Sequence, residues 1–217
     1  MAFVRVLGKF LISVGVGILI FVWWVLWGTG AYTRNQQDNV LTPKFDALPE
    51  VSGGDHLPPK DFDPDPGDPV FRLKIPKIDL NKGKGFIVVE GVDEESLKLG
   101  PGHYPDCDPP RFVPELCTEF PEVWPGEEGR VVISGHRTTY LHPFYDIDKL
   151  DKGDKILVDT KWGDFTYEVT EQRAVLPTDP TVVIQKDGRK EIVLTTCNPK
   201  YSASQRLITY ARQVAVR

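Results

Sequence analysis

The stretch 191-EIVLTTCNPKYSASQR-206 holds the most reactive grouping in the chain. A run of strand-forming residues ends in Cys197, an Asn-Pro turn follows, and Arg206 opens the next apolar run. A thiol works as a nucleophile when a neighbouring group manages its proton and that of the leaving group, and when something stabilises the oxyanion that develops. The four histidines are His56, His103, His136 and His142. His136 ends 130-RVVISGH-136, a second strand-like run that breaks into a loop, the same setting as Cys197. His103 and His142 stand beside turn residues and are weaker candidates, and His56 lies in a proline-rich segment. If the strands carrying Cys197 and Arg206 are neighbours, the return brings a guanidinium back to the thiol, where it favours both a thiolate and an oxyanion. Position alone leaves a second reading open, in which Cys197 is a small buried hydrophobe at a strand end.

The other two of the three cysteines, Cys107 and Cys117, lie in 106-DCDPPRFVPELC-117, within a proline-rich loop from about 105 to 129. In an oxidising compartment a pair at this spacing suits a disulfide that pins a loop with little core of its own. Free thiols and metal ligands are the other readings; no partner set of metal-ligand spacing stands nearby.

The elements that must position these groups follow from the hydropathy pattern. Residues 10–32, FLISVGVGILIFVWWVLWGTGAY, contain no charge. That run is long enough to span a bilayer and longer than the apolar core of a cleaved signal. Trp23, Trp24 and Trp27 suit an aromatic belt at its outer end, and Arg5 and Lys9 keep residues 1–9 cytoplasmic by the positive-inside rule. Residues 33–70 are rich in Pro and Asp and read as an extracellular stalk too poor in apolar surface to fold alone. From residue 71 to 217 the pattern changes to short runs bounded by Gly, Asp, Asn or Pro: FRLKIPKIDL, GFIVVEG, RVVISGH, KILVDT, DFTYEVT, EIVLTTC and RLITYARQV. Many short strands and few helices indicate an all-β barrel or sandwich. Pro76 inside the first run argues for an edge or a bulge there. VDEESLKLG reads as one or two helical turns. The net charge of -5 argues against a nucleic-acid surface.

On 194-LTTCNP-199 with Arg206, 131-VVISGHRTTYLHPFYDIDKL-150 and 86-FIVVEGVDEESLKLGPGHYP-105, the chain resembles the sortases, cysteine transpeptidases anchored on bacterial membranes. The Gly-His-Arg-Thr-Thr-Tyr and Gly-Pro-Gly-His-Tyr-Pro segments are most similar to the class E branch of actinobacteria. The resemblance implies an eight-stranded β-barrel, Cys197 as nucleophile, His136 as general acid/base and Arg206 as oxyanion stabiliser. It implies cleavage of a Leu-Ala/Pro-x-Thr-Gly-type sorting signal between Thr and Gly, and transfer of the acyl group to an amine, usually that of a lipid-linked peptidoglycan precursor. It also implies Tyr104, Thr196 and Asn198 as substrate-binding residues, with the loop from Pro177 to Gly188 holding the leucine side of the signal. Class E members commonly carry His where this chain has Asn198, and the 105–129 loop is longer than usual.

The expected partners are secreted proteins bearing the signal, a wall-precursor amine, and the membrane through the N-terminal helix. No cofactor is expected and no metal site is readable, since the acidic residues show no calcium-loop spacing. Asp146 and Asp148 could suggest a Cys-His-Asp triad, but the family uses Arg as the third group, so both are expected to be turn and surface residues. An extracellular cysteine hydrolase, a pilin-polymerising enzyme and a non-catalytic module on a stalk are the competing readings.

Overall fold

The computed structural model describes residues 2–51, 53–105, 122–179 and 188–217. Eight strands close into a barrel: β1 (Pro69–Lys74), β2 (Phe86–Glu90), β3 (Gly102–His103), β4 (Gly129–Ser134), β5 (Lys155–Asp159), β6 (Asp164–Val175), β7 (Lys190–Asn198) and β8 (Gln205–Val216). Their order around the barrel is β1-β2-β3-β4-β7-β8-β6-β5. Most neighbours are antiparallel, but β2 pairs with β3 and β4 pairs with β7 in parallel. Closure removes the free edges that an open sheet would expose.

Alternation along each strand sorts its side chains. Ile192 and Leu194 of β7, with Val131 and Ile133 of β4, enter the main core. Val193 and Val132 point the other way, into a second cluster with Ile208 and Tyr210 that Tyr104 and Val175 cover. A strand buried on both faces reads as a continuous apolar run, and Ile192-Val193-Leu194 does. The same holds for β2: Phe86 and Val88 face the core, while Ile87 and Val89 face outward onto Leu41 and Phe45.

Pro76 lies beyond the end of β1 and opens a single 3-10 turn, Pro76–Ile78, instead of sitting in a strand. The irregularity of β1 falls earlier, between Pro69 and Phe71. The short helix α4 (Glu94–Leu99) begins where the sequence places it. Asp93 caps it, its carboxylate accepting from the Glu95 and Ser96 amides at 2.9 and 3.1 Å.

The N-terminal region differs most from the sequence reading. Among the described residues, one helix is long and apolar enough to cross a membrane, and it runs to Asp46. It consists of α1 (Ala2–Trp23), α2 (Thr29–Gln36) and α3 (Thr42–Asp46), joined by π-helical turns at Trp24–Gly28 and Gln37–Leu41. The first part of the supposed stalk is therefore folded, because the barrel supplies the apolar partner that the segment lacks alone. Burying Leu41 and Phe45 on β2 contributes about 1.5–3 kcal/mol each. Farther along, Phe62 packs edge-on against Trp124 and Trp162 at 4.8 and 5.2 Å between ring centroids.

Candidate active site

The parallel β4–β7 ladder sets the height of two candidate groups. Ser134 pairs with Thr195, and past that point the Gly135 amide donates to Thr195 O at 3.1 Å while the Thr196 hydroxyl donates to Gly135 O at 2.6 Å. His136, just past the end of β4, and Cys197, near the end of β7, each stand two residues beyond that pair at the same end of the barrel. The antiparallel β7–β8 ladder sets the third: Cys197 pairs directly with Arg206, and Asn198 with Gln205. The three residues singled out in the sequence are thus brought to one rim by strand register alone.

Cys197 is half-buried and, among the described residues, the only cysteine. Cys107 and Cys117 lie outside the described residues, as does most of the loop between Pro177 and Gly188. Arg206 is half-buried, and its Nη1 donates to Ala203 O and Gln205 O at 3.2 Å each. Those two carbonyls curl the guanidinium over the β7–β8 turn, still tethered at one nitrogen.

His136 is poised differently from an ordinary surface imidazole. Its Nε2 is buried and makes no hydrogen bond. The Tyr140 ring lies against it, centroids 4.8 Å apart at 33°. Burial holds His136 below the usual histidine range, against an opposing pull from the Glu94 carboxylate. An unpaired ring nitrogen at the same rim as the half-buried Cys197 is free to take or give a proton.

Three residues expected to touch substrate have other commitments. Thr196 is buried, with its hydroxyl spent on Gly135, so it ties β7 to the His136 loop. Tyr104 donates its amide to Val132 O at 3.0 Å and lies in the second cluster. Burial pushes its phenol up to about 12, against the Arg206 charge and a hydrogen bond with Ser134. It therefore stands as a neutral hydroxyl near the Arg206 end of the site. Asn198 is held from both sides: its Oδ1 accepts from Arg137 Nη1 at 3.1 Å, and its Nδ2 donates to Gln205 Oε1 at 3.1 Å.

Arg137 escaped the sequence reading. It is buried, 4% exposed, and its guanidinium reaches Cys197 O at 3.1 Å, Asn198 Oδ1 at 3.1 Å and Tyr145 O at 3.4 Å. Asp148 closes the arrangement at 3.0 Å from Nη2. Arg137 thus clamps the cysteine loop to the histidine loop, and Asp148, expected to be a plain surface residue, holds the clamp. Asp146 instead pairs with Lys149 and Lys200. The one available signal was Arg137's place directly after His136.

One converging set of metal-ligating groups exists among the described residues, and it is built around His103. His103 Nδ1 is 3.0 Å from Glu90 Oε2 and 3.5 Å from Glu122 Oε1, and its Nε2 faces Val123 O at 3.0 Å. Both ring nitrogens face acceptors, as a doubly protonated imidazole requires, while Glu90 Oε1 and Glu122 Oε1 are buried without a hydrogen-bond partner. Although burial opposes it, the two carboxylates raise His103 to about 10. The cluster joins β2 and β3 to the chain returning into the core.

Comparison with known proteins agrees with this geometry. The sortase domain model matches residues 73–214. The chain is 33% identical to Sortase D of Bacillus subtilis over 70% of its own length and 68% of that protein's. It is 31% identical to Sortase SrtE1 of Streptomyces coelicolor over 98% of its length and 58% of that protein's. The solved structure of Sortase E1 from Streptomyces coelicolor with a tripeptide in the active site superposes with a TM-score of 0.57 at 28% identity, covering 71% of this chain and 93% of that one. The chain belongs to the sortase family of cysteine transpeptidases, and within it is class E-like.

Proposed function

We propose that this protein is a membrane-anchored sortase that cleaves a Leu-Ala/Pro-x-Thr-Gly-type signal between Thr and Gly and joins the new carboxyl end to a cell-wall precursor amine. The observation that carries the reading is the register of β4, β7 and β8, which sets Cys197 beside Arg206 and level with His136.

In this reading His136 takes the Cys197 thiol proton and the sulfur attacks the threonine carbonyl carbon. The carbonyl oxygen becomes an oxyanion, and the Arg206 guanidinium, released from one of its two backbone carbonyls, donates to it. The C–N bond breaks as His136 delivers a proton to the glycine nitrogen, leaving a thioacyl enzyme. The acceptor amine then attacks the thioester carbonyl and loses a proton to His136, and Cys197 departs. Splitting amide exchange this way requires a positioned amine to outcompete water. We read Tyr104, a neutral phenol near Arg206, as a signal-binding residue, and Asn198 as acting through the Arg137 clamp. The proposed organisation is a cytoplasmic segment of residues 1–9, a membrane span of residues 10–32, an extracellular connector of residues 33–70 and a catalytic domain of residues 71–217.

The test is incubation of the full chain in detergent or nanodiscs with a Leu-Ala-x-Thr-Gly peptide and an amine acceptor. Ligated product that Cys197→Ala abolishes is the expected result. Hydrolysis alone at every acceptor concentration would favour a cysteine hydrolase, and a preference for a pilin lysine peptide over a wall-precursor amine would favour a polymerising role.

A further inference from the structure

A membrane span joined to a catalytic domain by an unfolded stalk leaves the domain free to tumble. Here the helix docks on the barrel from the last residues of the span onward. The Thr33 hydroxyl donates to Lys98 O at 2.7 Å. Gln37 makes three bonds: Nε2 to Ile87 O at 2.9 Å and Leu99 O at 3.0 Å, and Oε1 from the Ile87 amide at 2.8 Å. A buried side-chain amide satisfied on both ends against a strand backbone fixes rotation as well as distance. Two cations, Lys161 and Arg72, sit 4.9 and 5.5 Å from the Phe45 ring centroid near the end of the helix.

The docking sets which part of the barrel lies nearest the bilayer. Thr29 Oγ1 accepts from the Tyr140 amide at 3.3 Å, and a Cβ built on Gly30 would stand 3.5 Å from Leu141 N. At about 1.5 Å of rise per residue, Thr29 is only about 3 Å beyond Trp27, the last of the aromatic-belt tryptophans. The Asp46 end is about 28 Å beyond it by the same rise. The loop that follows His136 is therefore level with the outer interface, and the β5–β6 turn carrying Lys161 stands far from it. Tyr140, Leu141 and His142 all adopt left-handed backbone angles (φ 50°, 62° and 40°), an unfavourable run for residues with side chains that the helix contact supports. The loop after Cys197 adds Lys200, over the Tyr145 ring at 4.1 Å, and Tyr201, 70% exposed. Amphipathic Tyr and Lys side chains are the residues that settle at headgroup level.

We infer that the bilayer surface is a binding partner of this face: the docked helix seats the loops bearing His136 and Cys197 on the lipid headgroups, so the acceptor amine reaches Cys197 from the membrane side. The inference rests on reading residues 10–32 as a membrane span. It adds that the active site has a fixed orientation and height.

The test uses the full chain in vesicles of phosphatidylglycerol and phosphatidylcholine with headgroup nitroxide lipids. In a Cys107→Ser, Cys117→Ser, Cys197→Ala background, single fluorescent probes are placed through His142→Cys, Tyr201→Cys and Asp164→Cys. Several-fold stronger quenching at 142 and 201 than at 164 is expected. Equal quenching at all three positions, or the reverse order, would overturn the inference. Should the background not fold, photo-crosslinking headgroup lipids to the unmodified chain asks the same question. Labelled peptides should then map to residues 137–146 and 199–206, and labelling centred on 150–175 would overturn the inference. Failure of the chain to float with vesicles would overturn the span, and the inference with it. None of these readouts needs turnover, so they stand apart from the transpeptidase reading.

Discussion

His103 and His136 share a local sequence, since each follows a glycine at the rim of a strand, and β3 and β4 are paired neighbours. Their chemistry is opposite. His103 is fully enclosed, with both ring nitrogens facing acceptors, two carboxylates around it and a charge held up to about 10. His136 is partly open, with a buried Nε2 that bonds to nothing and a proton affinity that burial lowers. One imidazole is consumed by structure and the other is left with unused capacity. A histidine's role is set by how many of its hydrogen-bonding sites the fold satisfies, more than by the residues next to it in the chain.

Replacing the two histidines should separate the roles most sharply. His136→Ala should reduce transpeptidation by roughly 10²–10⁴-fold, the range for a lost general acid/base, with the melting temperature nearly unchanged. His103→Ala should instead destabilise the domain by about 3–5 kcal/mol in denaturant titration, because it strands two buried carboxylates. The reverse assignment of effects would break the comparison.

The pH dependence of stability sharpens it further. His103 binds its proton more tightly folded than unfolded, so its contribution is complete below about pH 6.5 and is lost as the pH climbs through about 10. Glu90, raised by burial, works in the same direction. Unfolding free energy should therefore fall from neutral towards alkaline pH, and His103→Gln should flatten that slope. A slope unchanged in His103→Gln would show that the cluster does not hold the charge.

A smaller effect is expected where the catalytic side depends on its clamp. Arg137→Lys keeps the charge but loses the planar fork that reaches Cys197 O and Asn198 together. Turnover should drop by about tenfold, the equivalent of one hydrogen bond of about 1.4 kcal/mol, with little change in KM. Asp148→Asn should give a weaker form of the same defect. The smallest effect is spectroscopic. Tyr140→Ala should open His136 to water and move its NMR titration midpoint upward towards the ordinary histidine value.

Much of this site is legible without coordinates, and the reason is register. Cys197, His136 and Arg206 all sit at ends of apolar runs, and paired strands bring such ends together. Asp148 and Arg137 were not legible, because their contact depends on how the loop after His136 folds back, which no periodicity encodes. His103 was a weaker candidate because of its turn neighbours, and its carboxylate partners, Glu90 on β2 and Glu122 within the 105–129 loop, lie elsewhere in the chain. The largest miss was the helix continuing to Asp46. Proline content suggested an unfolded stalk, yet FIVV in β2 is apolar on successive residues, and such a strand in a small barrel needs a cover on its outer face. Leu41 and Phe45 provide it.

The most direct test of the central claim is intact-mass analysis of the full chain quenched while turning over a Leu-Ala-x-Thr-Gly peptide. A mass increase equal to the acyl fragment, located on Cys197, discharged by an added amine to give ligated product and absent in Cys197→Ala, is the expected result. Peptide cleavage that persists in Cys197→Ala, or an adduct on any residue other than Cys197, would contradict it.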